Sequence, residues 1–274
     1  GETARRDDAS VSSDSAPRAT LVTARPAPLA VRHFEQVWGT VVGIDVRDQA
    51  VRGVSETDIR QAISAVVAWL HRVDRIFSTY RSDSLVNAYR GSSDALSVAD
   101  LVDDSDAALF RSVLQLCREA RERSGGVFDP WSVPGGFDPS GLVKGWAVQE
   151  AARILQHHGL QFFAIDGSGD IVCHGGEDVG VPWHIGIQHP DMKDAVMKTA
   201  RIHSGATATS GTYVLGEHIV NPLDAGRGLA ARAATVVGPD AVWCEVWATV
   251  GVVTGVEALQ QVHALGPQWS ALVV

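Results

Sequence analysis

From residue 55 to 77 apolar residues recur at three and four positions: Ile59, Ile63, Val67, Leu70, Val73 and Ile76. That period predicts an amphipathic helix. Ser55 and Asp58 form a capping box at its start, and it ends near Phe77-Ser78-Thr79-Tyr80. A second helix is predicted from about 106 to 123, with Leu109, Val113, Leu116 and Ala120 inside and Gly125-Gly126 as its stop. A third starts at about Leu142 and ends before Gly159, and a fourth begins near Val242 and carries Glu245 and Thr249. Strand-like runs occupy 37–46, 162–165, 170–173, 183–188, 201–203, 232–237 and 270–274, separated by turn residues as in antiparallel hairpins. Glycines in the run 37–46 predict a close approach to its backbone. Residues 1–30 mix Ser, Ala, Pro and charge without an apolar period and read as a flexible arm ahead of one domain spanning 31–274. Helices and strands come in blocks, which predicts an α+β fold with antiparallel or mixed sheets packed against helices.

Composition narrows the function classes. The 274 residues are 45% hydrophobic and 20% charged, which fits one large domain or two packed lobes. With 23 Lys+Arg against 32 Asp+Glu the net charge is −9, which argues against nucleic acid as a partner. A phosphate-bearing ligand would then need a helix N-terminus, a lysine or a metal ion. The longest uncharged apolar run, 246–256, is too short to span a membrane. Cys117, Cys173 and Cys244 form neither a disulfide framework nor a zinc pattern. With no hydrophobic leader in the first thirty residues, the expectation is a cytoplasmic, reducing setting.

Several familiar motifs fail. Gly167-Ser168-Gly169 is followed by Asp170-Ile171-Val172, without the third glycine and helix of a dinucleotide fingerprint. Lys144 lacks the Walker spacing, and no Gly-x-Ser-x-Gly elbow exists. His157 and His158 are adjacent, point in different directions on a helix and read as solvated end-of-helix residues rather than metal ligands.

A set of separate segments carries more. In order, they are Trp38-Gly39-Thr40, Phe77-Ser78-Thr79-Tyr80, Ser84-Leu85-Val86-Asn87, Val127-Phe128-Asp129-Pro130 and the run from Asp138-Pro139-Ser140-Gly141 through Leu142-Val143-Lys144-Gly145-Trp146. Ser168-Gly169-Asp170-Ile171, Trp183-His184-Ile185-Gly186, Ala208-Thr209-Ser210-Gly211-Thr212-Tyr213, His218-Ile219-Val220-Asn221-Pro222 and Glu245-Val246-Trp247-Ala248-Thr249 follow. Their identity and order over about residues 37–255 resemble the ApbE family, the FAD:protein FMN transferases.

That resemblance implies a two-lobed single unit and a definite chemistry. The family cleaves the pyrophosphate of FAD with a divalent metal, Mg2+, attaches FMN through a phosphoester to a Ser or Thr of a target protein and releases AMP. The resemblance implies FAD contacts at Trp38, where the family usually has Met, at Tyr80, at Val127, Phe128 and Asp129, and at Gln149, where the family usually has Asp. An alternative for Tyr80 is a core aromatic at a helix end, and for Phe128 and Asp129 simple turn chemistry. Lys144 is either near phosphate or a solvated lysine. The metal ligands implied are the Val143 carbonyl, Glu245 and Thr249. Glu245 replaces the usual Asp and is one methylene longer, while keeping the i, i+4 spacing to Thr249. Asp240 is a nearby rival without that spacing. His218 matches the general base, a role suited to imidazole near neutral pH; the plainer alternative is a histidine satisfied by backbone. Asn221 also stands where Asp is common. Ser204-Gly205-Ala206-Thr207 partly echoes the sequence the family modifies, but Arg201 stands where an acidic residue is usual, which disfavours self-flavinylation. Two further readings stay open: an FAD hydrolase yielding FMN and AMP, and an FAD-binding protein that has lost catalysis.

Overall fold

The computed structural model describes residues 19–21, 29–92, 103–190, 192, 195–211, 222–223 and 228–274. The capped helix is found as read. Helix α2, Glu56–Phe77, follows a short α1, Asp48–Arg52, and Ser55 accepts from the Asp58 amide at its start. One face of α2, including Ile59, Ile63, Leu70, Val73 and Ile76, is buried, each such side chain contributing about 1.5–3 kcal/mol relative to exposure.

The run 37–46 belongs to a hairpin rather than to one strand. Strand β2, Val31–Val37, pairs antiparallel with β3, Thr40–Val46, through a two-residue turn at Trp38 and Gly39, whose φ values are 59° and 70°. Two left-handed residues match the twist of the flanking strands. Ala19–Leu21, inside the stretch expected to be an arm, forms strand β1.

Three helices follow: α3, Leu85–Ser92; α4, Asp104–Arg123; and α5, Ser140–His157. Six strands come next: β4, Phe163–Asp166; β5, Ile171–His174; β6, Trp183–Gln188; β7, Val196–Ile202; β8, Gly205–Gly211; and β9, Ala233–Gly238. Helices α6, Ala241–Thr254, and α7, Glu257–Ala264, precede the last strand, β10, Ser270–Val273.

Seven strands form one antiparallel sheet in the order β10-β9-β8-β5-β4-β3-β2, and β1-β6-β7 form a second. The large sheet is the middle of three layers. Alternate residues of β4 and β5 face opposite ways: Phe163, Ile165 and Val172 join the core under the helices, while Ala164, Ile171 and Cys173 pack with Trp183, Ile185 and Ile202 of the small sheet. Helix α6 is buried on nearly every side because it lies between α5 and strands β8 and β9. The α+β architecture is therefore the one the blocks of elements predict. Among the described residues no helix is long and apolar enough to cross a membrane.

Candidate active site

A cleft of about 500 Å3 opens between the β2–β3 turn, the C-terminal end of α2 and the first turns of α5. Trp38, Phe77, Tyr80, Val143 and Lys144 line it. Trp38 occupies the left-handed region, which costs a non-glycine residue on the order of 1 kcal/mol and persists where the surroundings dictate it. Tyr80 is 98% exposed, so it is not a core aromatic; its ring stands at the lip of the cleft.

Beside the cleft, helices α5 and α6 cross closely, and two carboxylates lie out of water there, one on α6 and one in the turn that leads into β5. Glu245 and Asp170 are each only 4% exposed. The Gly145 amide donates to Oε2 of Glu245 at 2.8 Å. Lys144 Nζ lies 3.9 Å from Oδ2 of Asp170. Asp170 follows a tight turn in which Oδ1 of Asp166 accepts from the amides of Ser168 and Gly169, and the Thr40 hydroxyl donates to Ser168. One helical turn beyond Glu245, Thr249 shares a 3.2 Å hydrogen bond with the Ser210 hydroxyl.

Burial pushes the Glu245 carboxyl well above its ordinary value; the nearby Asp170 adds to this, while Lys144 and the Gly145 amide oppose it. Burial likewise raises Asp170 to about 6, against the pull of Lys144 and with a push from Asp166. Two desolvated carboxylates served by one lysine make a place where a further cation is favoured. Among the described residues no three His, Cys, Asp or Glu side chains converge as a ligand set. The donors that the sequence resemblance implies are instead the Glu245 carboxylate, the Thr249 hydroxyl and the Val143 carbonyl. That oxygen set fits Mg2+, which keeps several waters or phosphate oxygens and takes few carboxylates.

The other candidate residues lie elsewhere. Phe128 is buried against Gly141 at the start of α5. Asp129 accepts from the Trp131 amide and pairs with Arg121 at 2.9 Å; Arg121 and Trp131 line a second hollow of about 680 Å3. Val127, between Gly126 and Phe128, packs partly buried against the core. Gln149 accepts from the Ala241 amide at 2.7 Å. Asp240 caps α6 by accepting from the Trp243 amide. His218 and Asn221 lie outside the described residues. Thr207 sits in the interior strand β8 at 0% exposure, so its hydroxyl is out of reach of any modifying group.

Sequence reasoning assigned no role to Asp170, Gly145 or Ser210. Asp170 had a signal, an acid between a glycine turn and an apolar strand. Gly145 had a weaker one, a glycine inside a helix where alanine would be favoured by about 1 kcal/mol.

The fold and site together define an α+β protein with a cleft beside a buried, cation-seeking carboxylate pair. The sequence matches the ApbE family over residues 132–273, and the chain belongs to that family. It is 30% identical over 167 residues to an FAD:protein FMN transferase of Klebsiella pneumoniae (strain 342), covering 57% of this chain and 47% of that protein. It is 28% identical over 136 residues to the Escherichia coli (strain K12) protein of the same name, covering 46% and 38%. The chain thus spans about half the length, or less, of these curated relatives. The flavin transferase ApbE from Vibrio cholerae superposes with a TM-score of 0.70 at 21% identity, covering 89% of this chain and 93% of that one. The ApbE protein from Thermotoga maritima gives 0.70 at 18% identity, covering 89% and 94%. These likenesses establish the fold.

Proposed function

We propose that this chain is a Mg2+-dependent FAD:protein FMN transferase. The observation that carries the reading is the buried Glu245 beside Asp170, with Thr249 one turn along, at the edge of a cleft lined by Trp38, Tyr80 and Lys144. The family and the names of the relatives agree with it. Glu245, Thr249 and the Val143 carbonyl would hold Mg2+, which neutralises diphosphate charge when bound.

The remaining work falls to the chain. Trp38 and Tyr80 bind the planar rings of the dinucleotide from the turn and the lip. Lys144, held near Asp170, presents its ammonium to phosphate oxygens. His218 takes the proton of the acceptor Ser or Thr hydroxyl. That oxygen forms a bond to the FMN phosphorus, the bond from that phosphorus to the bridging oxygen breaks, and AMP departs with the electron pair.

The test is incubation with FAD and Mg2+, with and without a Ser/Thr peptide of the kind the family modifies, following AMP and peptide mass. AMP release with a peptide heavier by one FMN less water is expected. AMP and free FMN without peptide modification would identify a hydrolase, and bound, uncleaved FAD would identify a binding protein.

A further inference from the structure

The contact between α5 and α6 is reciprocal. The Gly145 amide of α5 donates to Glu245 of α6, and the Ala241 amide of α6 donates to Gln149 of α5, at 2.8 and 2.7 Å. In each helix the amide and the accepting side chain are four residues apart, on one face. The helices approach so closely that a Cβ on Gly145 would lie 2.8 Å from the Ala241 carbonyl oxygen. Ala241 opens α6, where amides have no partner within the helix, so the Gln149 carbonyl fills a vacancy that helix geometry creates.

Gln149 does not line the 500 Å3 cleft. It borders a separate hollow of about 290 Å3, with Arg153, Ser204 and Pro239. The geometry points to Gln149 as a positioning residue for the metal site: by holding the first turn of α6 it sets where Glu245 and Thr249 stand, and it does not contact the dinucleotide. The Gly145 amide already takes one of the acceptor sites of the Glu245 carboxylate, and where the remaining ones point depends on the axial position of α6. An outer-shell residue of this kind acts on metal affinity rather than on flavin affinity.

This inference rests on the metal reading above, and the experiment separates the two. The full chain is compared with Gln149→Asn, too short to reach Ala241, and with Gln149→Glu, which keeps an acceptor at a helix N-terminus. Three quantities are read: amide hydrogen exchange at Ala241 in metal-free protein, Mg2+ affinity by calorimetry, and FAD affinity in EDTA by flavin fluorescence. Gln149→Asn is expected to speed Ala241 exchange about tenfold, weaken Mg2+ binding about tenfold and leave FAD affinity in EDTA within about twofold. Gln149→Glu is expected to restore the first two. Weaker FAD binding in EDTA with unchanged Mg2+ affinity would make Gln149 a ligand contact and overturn the inference. Unchanged Mg2+ affinity despite faster exchange would make the bond merely structural and overturn it too. If the unaltered chain binds no Mg2+, the metal reading itself fails, and the exchange result alone still decides whether the clasp exists.

Discussion

Gly145 and Glu245 stand one hundred residues apart in the chain and are joined by a 2.8 Å hydrogen bond from amide to carboxylate. No β-carbon fits between them: one built on Gly145 would fall 2.8 Å from both the Glu245 Oε2 and the Ala241 carbonyl oxygen. The site is therefore assembled by a helix crossing that only glycine permits.

Gly145→Ala should lower stability even though alanine is the better helix former. The propensity gain is about 1 kcal/mol, whereas overpacking typically costs about 1–3 kcal/mol, and one of the clashing atoms is backbone that cannot rotate away. Because that clash is with fixed backbone the upper end of the cost applies, so urea unfolding should give a net loss of about 2 kcal/mol, and calorimetry weaker Mg2+ binding. A variant as stable as the parent would contradict the crossing geometry.

Glu245→Gln separates charge from shape. The amide can still accept from Gly145, so the fold should persist, and the metal-free protein should lose the part of its pH-dependent stability that Glu245 supplies. Mg2+ affinity should fall on the order of 100-fold. Thr249→Ala should likewise abolish FMN transfer; full retained transfer would remove Thr249 from the metal set.

The carboxylates make stability depend on pH in a definite direction. Asp170 is raised from 3.8 to about 6 and Glu245 is raised from 4.5. A raised acid favours its protonated form in the folded state, so its contribution is full below the unfolded value and is lost as pH rises through the folded one. Metal-free protein should therefore lose melting temperature as pH climbs from about 4 through about 6 and beyond. Mg2+ should protect little at pH 5 and markedly at pH 8, because it replaces protons. A melting temperature independent of pH over that range, in EDTA, would refute the buried pair.

Tyr80→Ala should leave stability within about 0.5 kcal/mol, since the ring is almost wholly in solvent. FAD affinity should drop about 3–10-fold, as expected for one aromatic contact. Trp38→Ala should weaken FAD binding similarly. Flavin fluorescence titration of both variants measures this, and unchanged affinity in both would place the dinucleotide elsewhere.

Thr207 carries a buried hydroxyl with no hydrogen-bond partner among the described residues. Thr207→Val, close in shape, should stabilise the protein by about 1 kcal/mol, read by thermal or urea unfolding. The same variant should leave any self-labelling by flavin unchanged, because the native hydroxyl is inaccessible.

Much of the frame was legible because burial leaves a one-dimensional trace. The stripe Ile59 to Ile76 and the Ser55 cap announced α2, and β-branched runs announced β4, β5, β6 and β9. Strand β8 left no such trace: Gly205-Ala206-Thr207-Ala208-Thr209-Ser210-Gly211 falls outside every strand-like run in the sequence, yet it lies between β5 and β9. Small residues are required there because α6 packs closely on one of its faces. The run 37–46 concealed the Trp38-Gly39 turn, and the partner strand, 31–37, went unread because its apolar residues alternate too weakly to stand out alone.

The sequence by itself determined the α+β class, the main helices and the ordered motifs that mark the family. Tertiary structure alone decided that Asp170 shares a buried site with Glu245 and that Gln149 turns to Ala241. The reason is physical: periodicity records which face of one element is dry, whereas the meeting of two carboxylates and the pairing of two helices depend on crossings between segments up to a hundred residues apart.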